Sequence, residues 1–339
     1  MNRSRGQPRI AFAILTLEHG CGGHFWSLRT TAEALREDGC ECLILDFGML
    51  PSPVLQASPV AVCHIFFNGK NVWSACREAL KVVGREAPDV LGCFDGRIGF
   101  LVRLIASRYQ LPIVATKCGG PPPRRYFPRY DHIVVYTPCD QEWILERGGM
   151  TPEGVSLIPN RVHSFDCDAP LVDGLRSKLD SRRLTIIRVG RIARPYRQSI
   201  IQAINLCKHL NQSGFGVQLI IVGLISDQEV FQELDALRDE NIHVVTDASI
   251  TVDAKRVLDV ADMAIGTGRG FMEAASRGCI LLTPIAEGEL PALVTRDNFR
   301  ELLGSNFSPR NSVAGWDAER NLELIKRAVV DSAWRGRLQ

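Results

Sequence analysis

The 339-residue sequence has no apolar run of the length a membrane-spanning helix requires, so it offers no candidate for one. Its 11 cysteines include no Cys-x-x-Cys pair. Zinc sites are usually built on such pairs, or on Cys with paired His, so no resident metal is expected. Charge of one sign is not in excess either. The 40 Lys and Arg against 38 Asp and Glu leave a net charge of +2, which argues against an extended basic surface for nucleic acid. Neither half carries the G-x-G-x-x-G turn with an acidic residue about 20 positions on, which counts against a nicotinamide dehydrogenase. The opening segment Met1–Pro8 is short and basic and lacks the apolar stretch of a secretory leader, so a cytoplasmic protein is expected.

What is present is ordinary for a globular enzyme: 45% hydrophobic and 23% charged residues. At this length two domains are the natural expectation. The cysteines sit mostly within apolar patterns, where a thiol behaves as a small hydrophobe, and are expected to be reduced and mostly buried.

Strand-like apolar runs alternate with helical patterns, the signature of parallel sheets covered by helices. In the first half the runs are Ile10–Leu17, Cys42–Phe47, Ala61–Phe66, Val90–Phe94, Pro112–Ala115, His132–Tyr136 and Val155–Ile158. His163–Arg183 is polar and contains Pro170 and Gly174, which reads as a hinge leading to a second domain. A new series follows with strands at Leu184–Val189, Val217–Val222, Ile242–Val245, Met263–Ile265 and Ile280–Thr283. The division expected is 1–165 and 166–339.

Three segments carry chemistry. Gly20-Cys21-Gly22-Gly23 lies between a strand and a helix, where glycines bring backbone N–H groups close to a ligand or simply make the turn. Val189-Gly190-Arg191 ends a strand, with Arg194 and Arg197 just beyond; guanidinium groups at such a place suit a diphosphate. Gly266-Thr267-Gly268-Arg269-Gly270-Phe271-Met272-Glu273 runs from a strand through a turn into a helix. Its amides suit phosphate, and Glu273 suits ribose hydroxyls or the helix dipole.

Together these segments resemble the GT-B glycosyltransferases, particularly glycosyltransferase family 4. The resemblance runs from the Gly22-Gly23 loop to at least Pro284. Ala87-Pro88-Asp89-Val90 with Phe94-Asp95-Gly96 is similar to the family's N-domain strand and loop, and Leu157-Ile158-Pro159-Asn160 to the segment closing that domain. Val189-Gly190-Arg191 resembles the family's Gly-Arg, and the segment from Gly266-Thr267-Gly268-Arg269 to Glu273 its donor loop. Thr116-Lys117-Cys118-Gly119-Gly120-Pro121 is similar to a motif of polysaccharide-assembly members. Three positions depart from the family: Ile265 stands where the first of two Glu residues is usual, Tyr196 where Lys is usual, and Phe94-Asp95 where many members have His.

The resemblance implies two Rossmann-like α/β domains facing each other across an inter-domain cleft. It implies transfer of a sugar from a UDP- or GDP-linked donor to a saccharide or lipid-linked saccharide, with retention. Arg191, with Arg194 or Arg197, would neutralise the diphosphate, Gly268, Arg269 and Gly270 would line it, and Glu273 would hold the ribose. The acceptor would lie near Gly22, Gly23, His24 and Asp95. Asp95 is either a polar or proton-accepting group or a turn former, and His24 either a ligand or part of the first helical turn. The donor is a substrate, and no metal is expected: Asp166-Cys167-Asp168 has the D-x-D pattern of another glycosyltransferase fold, but it lies in the polar hinge. The basic, aromatic stretch Arg124–Tyr130 is either a plain surface loop or a peripheral contact with the inner face of the plasma membrane. The rival readings are a non-catalytic nucleotide-sugar-binding scaffold and a nucleotide-sugar epimerase.

Overall fold

The computed structural model describes residues 7–17, 19–120 and 130–338. Pro121 and Arg124–Arg129 lie outside the described residues.

The chain divides into two compact units, Met1–Pro159 and Asn160–Gln339. The boundary falls a few residues before the 165/166 division read from the sequence, because residues 160–168 are tied into the second unit. Asn160 bonds Asn306 at 3.1 Å, and the Phe165 carbonyl accepts from Arg277 at 3.0 Å. The Asp168 amide donates to the Arg256 carbonyl at 2.8 Å.

In the first unit, β1 (Arg9–Thr16), β2 (Glu41–Gly48), β3 (Ala61–Phe66), β4 (Val90–Cys93), β5 (Ile113–Lys117), β6 (His132–Val135) and β7 (Val155–Leu157) form one sheet. Its order is β3-β2-β1-β4-β5-β6-β7 and every pair is parallel. Side chains alternate across a strand, so each β1 residue commits to one face. Phe12 and Ile14 pack with Ile44 and, from helix Gly23–Glu37, Phe25, Leu28 and Ala32. Ala11, Ala13 and Leu15 pack with Leu45, Phe47 and, from the helices Val72–Glu86 and Gly99–Tyr109, Ala79, Val83, Leu101 and Ile105. Both faces are therefore covered, as parallel sheets require, and the apolar strands read as near-continuous hydrophobic runs for that reason.

The second unit repeats the plan with β8 (Leu184–Val189), β9 (Val217–Val222), β10 (Ile242–Val245), β11 (Met263–Ile265), β12 (Ile280–Thr283) and β13 (Ala292–Leu293), in the order β10-β9-β8-β11-β12-β13. All pairs are parallel except β12 with β13. Ile186, Leu219 and Ile221 face helix Arg197–Gln212, while Ile187, Ile220 and Val222 face the other layer. Each fully buried Leu or Ile of these layers contributes about 2 kcal/mol by leaving water.

Two readings from the sequence need correction. The polar stretch 163–183 is not simply a hinge; it contains a helix, Ala169–Arg176, with Asp168 as its N-cap and Pro170 in its first turn. Proline there breaks nothing, since a first-turn N–H has no helical partner to lose. Asp168, of the D-x-D segment, makes that cap. Its carboxylate accepts from the Leu171 amide at 3.1 Å and pairs with Arg256. The cysteines are all free, but only Cys76, Cys93, Cys207 and Cys279 are buried; six are half-buried and Cys139 is exposed.

At the ends of β8 and β9 two glycines let the backbones meet. A Cβ added to Gly223 would overlap the Gly190 carbonyl oxygen, and neither backbone can move without breaking the Gly190 N–H bond to Val222 (3.0 Å) or the Gly223 N–H bond to Val245 (3.0 Å). Gly223→Ala is expected to cost about 3 kcal/mol of stability in urea unfolding. Gly216→Ala, whose methyl would meet nothing nearer than Arg183 Cγ at 3.7 Å, should change stability by less than about 0.5 kcal/mol.

Candidate functional site

Each sheet reverses its direction of growth at one point, between β1 and β4 in the first unit and between β8 and β11 in the second. The helices that follow the two strands leave toward opposite faces, so the strand ends between them stay uncovered, and open α/β sheets bind ligands there. Gly20–Gly23 follows β1 and Phe94-Asp95 follows β4. Gly190-Arg191 follows β8 and Gly266–Gly270 follows β11. The three segments read as carrying chemistry, together with Phe94-Asp95, thus lie at one of these two places.

In the first unit the glycine loop is anchored from below. Asp46, fully buried on β2, accepts from Thr16 Oγ1 and from the Ser52 amide at 2.8 Å, and Ser52 Oγ donates to the Gly20 carbonyl at 2.6 Å. Gly20 has φ +61°, and a Cβ there would lie 2.9 Å from Ser52 Cα. Gly22 caps helix Gly23–Glu37 without a side chain, its carbonyl accepting from the Phe25 amide at 2.9 Å, and the His24 ring lies 4.3 Å from that of Phe25. Opposite, Phe94 packs edge-on to Phe12 at 5.7 Å. Asp95 caps a 3-10 turn: Oδ1 accepts from the Arg97 amide at 2.9 Å, and Oδ2 from Arg97 Nη2 at 2.6 Å. It sits where the sequence placed a polar group, and it also holds the turn.

In the second unit β8 and β11 are in register with Arg188 opposite Ile265, so Gly190-Arg191 and Gly266 leave adjacent strand ends. Neighbouring strands lie about 4.8 Å apart. Arg191 Nη2 reaches the Tyr196 hydroxyl at 3.3 Å, and its guanidinium stands 5.4 Å from that ring. Helix Gly268–Ser276 starts at the β11 end. Its first amide, Gly268 (φ +51°), donates to the Asn306 carbonyl at 3.0 Å and is not available to a ligand. Among the described residues the next two amides, Arg269 and Gly270, have no hydrogen-bond partner, and they carry the positive end of the helix dipole. Arg269 turns inward, Nε donating to Glu273 Oε1 at 2.8 Å, with both side chains nearly buried. Burial pushes the Glu273 carboxyl up, and the charges of Arg269 and Lys255 oppose that shift.

Two expected diphosphate ligands are engaged elsewhere. Arg194 pairs with Asp227 at 3.2 Å and with Glu229 at 2.5 Å, and Arg197 pairs with Glu233. Both project toward helix Gln228–Ala236 and its cap. Three residues at the β8–β11 end were not named as site residues in the sequence reading. Asn306, itself at φ +60°, closes the turn at Gly268 and takes a hydrogen bond from Asn160. Tyr196 packs on Arg191. Arg188 is the third, and its signal was in view: a charged residue at an inward position of an otherwise apolar strand.

Breaking the Arg269–Glu273 pair leaves one buried charge without its partner. Glu273→Leu or Arg269→Leu alone is expected to cost about 3 kcal/mol, and the double variant to recover much of that loss in a urea-unfolding double-mutant cycle.

No protein-family model matches the chain, and no curated protein is significantly similar to it in sequence. Solved structures do match. A glycosyltransferase from Rickettsia africae superposes with a TM-score of 0.65 at 12% identity, covering 98% of this chain and 93% of that one. HepE from Anabaena, solved with UDP and glucose, superposes with a TM-score of 0.63 at 14% identity over 98% of each chain. A UDP-N-acetylglucosamine 2-epimerase from Listeria monocytogenes gives 0.55 at 13% identity over 97% of each. Two parallel-sheet units, each with its switch point, and this match over nearly the whole length make the fold of this chain that of the GT-B glycosyltransferases.

Proposed function

We propose that the protein is a glycosyltransferase that moves a sugar from a nucleotide-diphospho-sugar to a saccharide or lipid-linked saccharide. One observation carries this reading: the β8–β11 switch point gathers Arg191, two helix-terminal amides without partners and the carboxylate of Glu273. That set matches the chemistry of a nucleoside diphosphate. A guanidinium and N–H donors meet the phosphates, and a carboxylate oxygen accepts from ribose hydroxyls. HepE, of the same fold, has been solved with UDP and glucose.

As the bond from the anomeric carbon to the diphosphate breaks, negative charge grows on the departing oxygen. Arg191 and the amides of Arg269 and Gly270 face that charge already oriented, so they stabilise it without reorganising. Retention at the anomeric carbon accompanies the proposal, as the family 4 resemblance implies. The donor is UDP- or GDP-linked, and no metal cofactor is assigned. For the acceptor we assign the β1–β4 end, with Gly22 on the loop, Gly23 and His24 opening the helix after it, and Asp95, oriented by Arg97, to bind a hydroxyl. The basic, aromatic sequence Arg124–Tyr130 supports an acceptor presented at the cytoplasmic face of a membrane.

The likeness to the Listeria epimerase supports a second reading, interconversion of the sugar while it remains on the nucleotide. Incubation with UDP- and GDP-sugars and no acceptor separates the two. Slow release of free nucleoside diphosphate is expected, whereas an epimeric nucleotide sugar would select the second reading. Arg191→Ala is expected to weaken UDP or GDP binding about ten-fold by calorimetry with an unchanged circular dichroism spectrum. Undiminished affinity in that variant would refute the donor-site assignment.

A further inference from the structure

Arg188 heads the largest fully buried side chains among the described residues, at 1% exposure, and it is the only charged one of that group. Its partners are neutral. Nε and Nη2 both donate to Ser199 Oγ, at 3.3 and 2.8 Å, and Nη1 donates to the Val189 carbonyl. Among the described residues no carboxylate pairs with it. Ser199 Oγ spends its own proton on the Tyr196 carbonyl at 2.7 Å. Across the sheet its neighbours are Ile221 and Ile265, which offer no charge. A buried cation without an anion is an expensive thing to keep in a fold, and replacement by an apolar residue of similar volume often stabilises.

Its position gives it a use. The guanidinium lies directly under the strand end: a Cβ on Gly190 would be 2.5 Å from Arg188 Nη1, so the group packs against the residue that precedes Arg191. Burial pulls the guanidinium down to about 10, and the nearby Tyr196 favours its charged form. Tyr196 also meets Arg191, at 3.3 Å. The position that carries Lys in the resembling family therefore carries a tyrosine here, flanked by two arginines, one of them from the strand.

We propose that Arg188 is a positioning residue of the donor site, a buried cation that replaces the charge missing at position 196 by fixing the Gly190-Arg191 turn and extending its field to the bound diphosphate. The proposal rests on the donor-site reading above. In a low-dielectric interior the field of one guanidinium reaches farther than that of an exposed, screened arginine such as Arg194. The empty protein bears the desolvation cost, and an anion at the strand end offsets it.

The test compares full-length wild type, Arg188→Met and Arg188→Lys in their binding of UDP or GDP, whichever the wild type takes, and of the corresponding nucleoside, followed by ligand-observed NMR. Arg188→Met is expected to lose about ten-fold in diphosphate affinity while nucleoside affinity stays within about two-fold. Arg188→Lys should restore most of the loss, and the empty Arg188→Met protein should melt at or above the wild-type temperature. Equal losses for nucleotide and nucleoside, an unchanged diphosphate affinity, or an Arg188→Met chain that fails to fold makes Arg188 a structural residue and overturns the proposal. Wild type that binds neither diphosphate overturns the donor-site reading itself, whatever the variants do.

Discussion

Both units depend on the same constraint: a parallel sheet that grows outward in two directions from a central pair of strands. Parallel neighbours need crossover connections, and right-handed crossovers on either side of the pair send the chain to opposite faces. The layers show this directly. Helix Gly23–Glu37 packs with Phe12 and Ile14, whereas helix Gly99–Tyr109 packs with Ala11, Ala13 and Leu15 on the far side. In the second unit helix Arg197–Gln212 covers Ile186, and helix Gly268–Ser276 contributes Ala274 to the layer containing Ile187. Neither helix of a pair covers the strand ends between them. Each crevice is a by-product of covering its sheet, and Gly20 in the first unit and Gly190, Gly223 and Gly268 in the second adapt the rims.

Charge placement at the second crevice follows burial more than count. Arg194 and Arg197 are exposed and satisfied by Asp227, Glu229 and Glu233, so their fields are largely neutralised and screened. Arg188 and the Arg269–Glu273 pair are buried, where charges act strongly and cost correspondingly more. The pair orients a carboxylate, and the lone guanidinium supplies net positive charge. Helix amides complete the set without adding any side chain. A site assembled this way is fixed before any ligand arrives, as the donor role proposed for it requires.

The strand pattern was legible almost to the residue, because a strand buried on both faces must be apolar throughout. β1, β8 and β9 read that way over most of their length, with Arg188 and Gln218 as buried exceptions. Short β13 was not legible, since a two-residue antiparallel edge has no periodicity to detect. The helix Ala169–Arg176 was lost to its own capping signals, with Pro170 read as a breaker where it is a starter. The candidate segments were found because glycines after strands are local features. Which arginines are engaged by carboxylates and which one is buried was not a local matter: Arg194, Arg197 and Arg188 lie within ten positions of one another, and only their partners separate them.

The sequence by itself determined the class of fold, the number of units and the glycine segments that follow strand ends, because hydrophobic periodicity and glycine placement act over a few residues. Tertiary structure alone decided which amides stay unpaired, which guanidinium is buried and which carboxylate is held ready. Each of these depends on a partner far along the chain, as Gly268 depends on Asn306 and Arg197 on Glu233. Only folding brings such partners together, so no window of the sequence can report them.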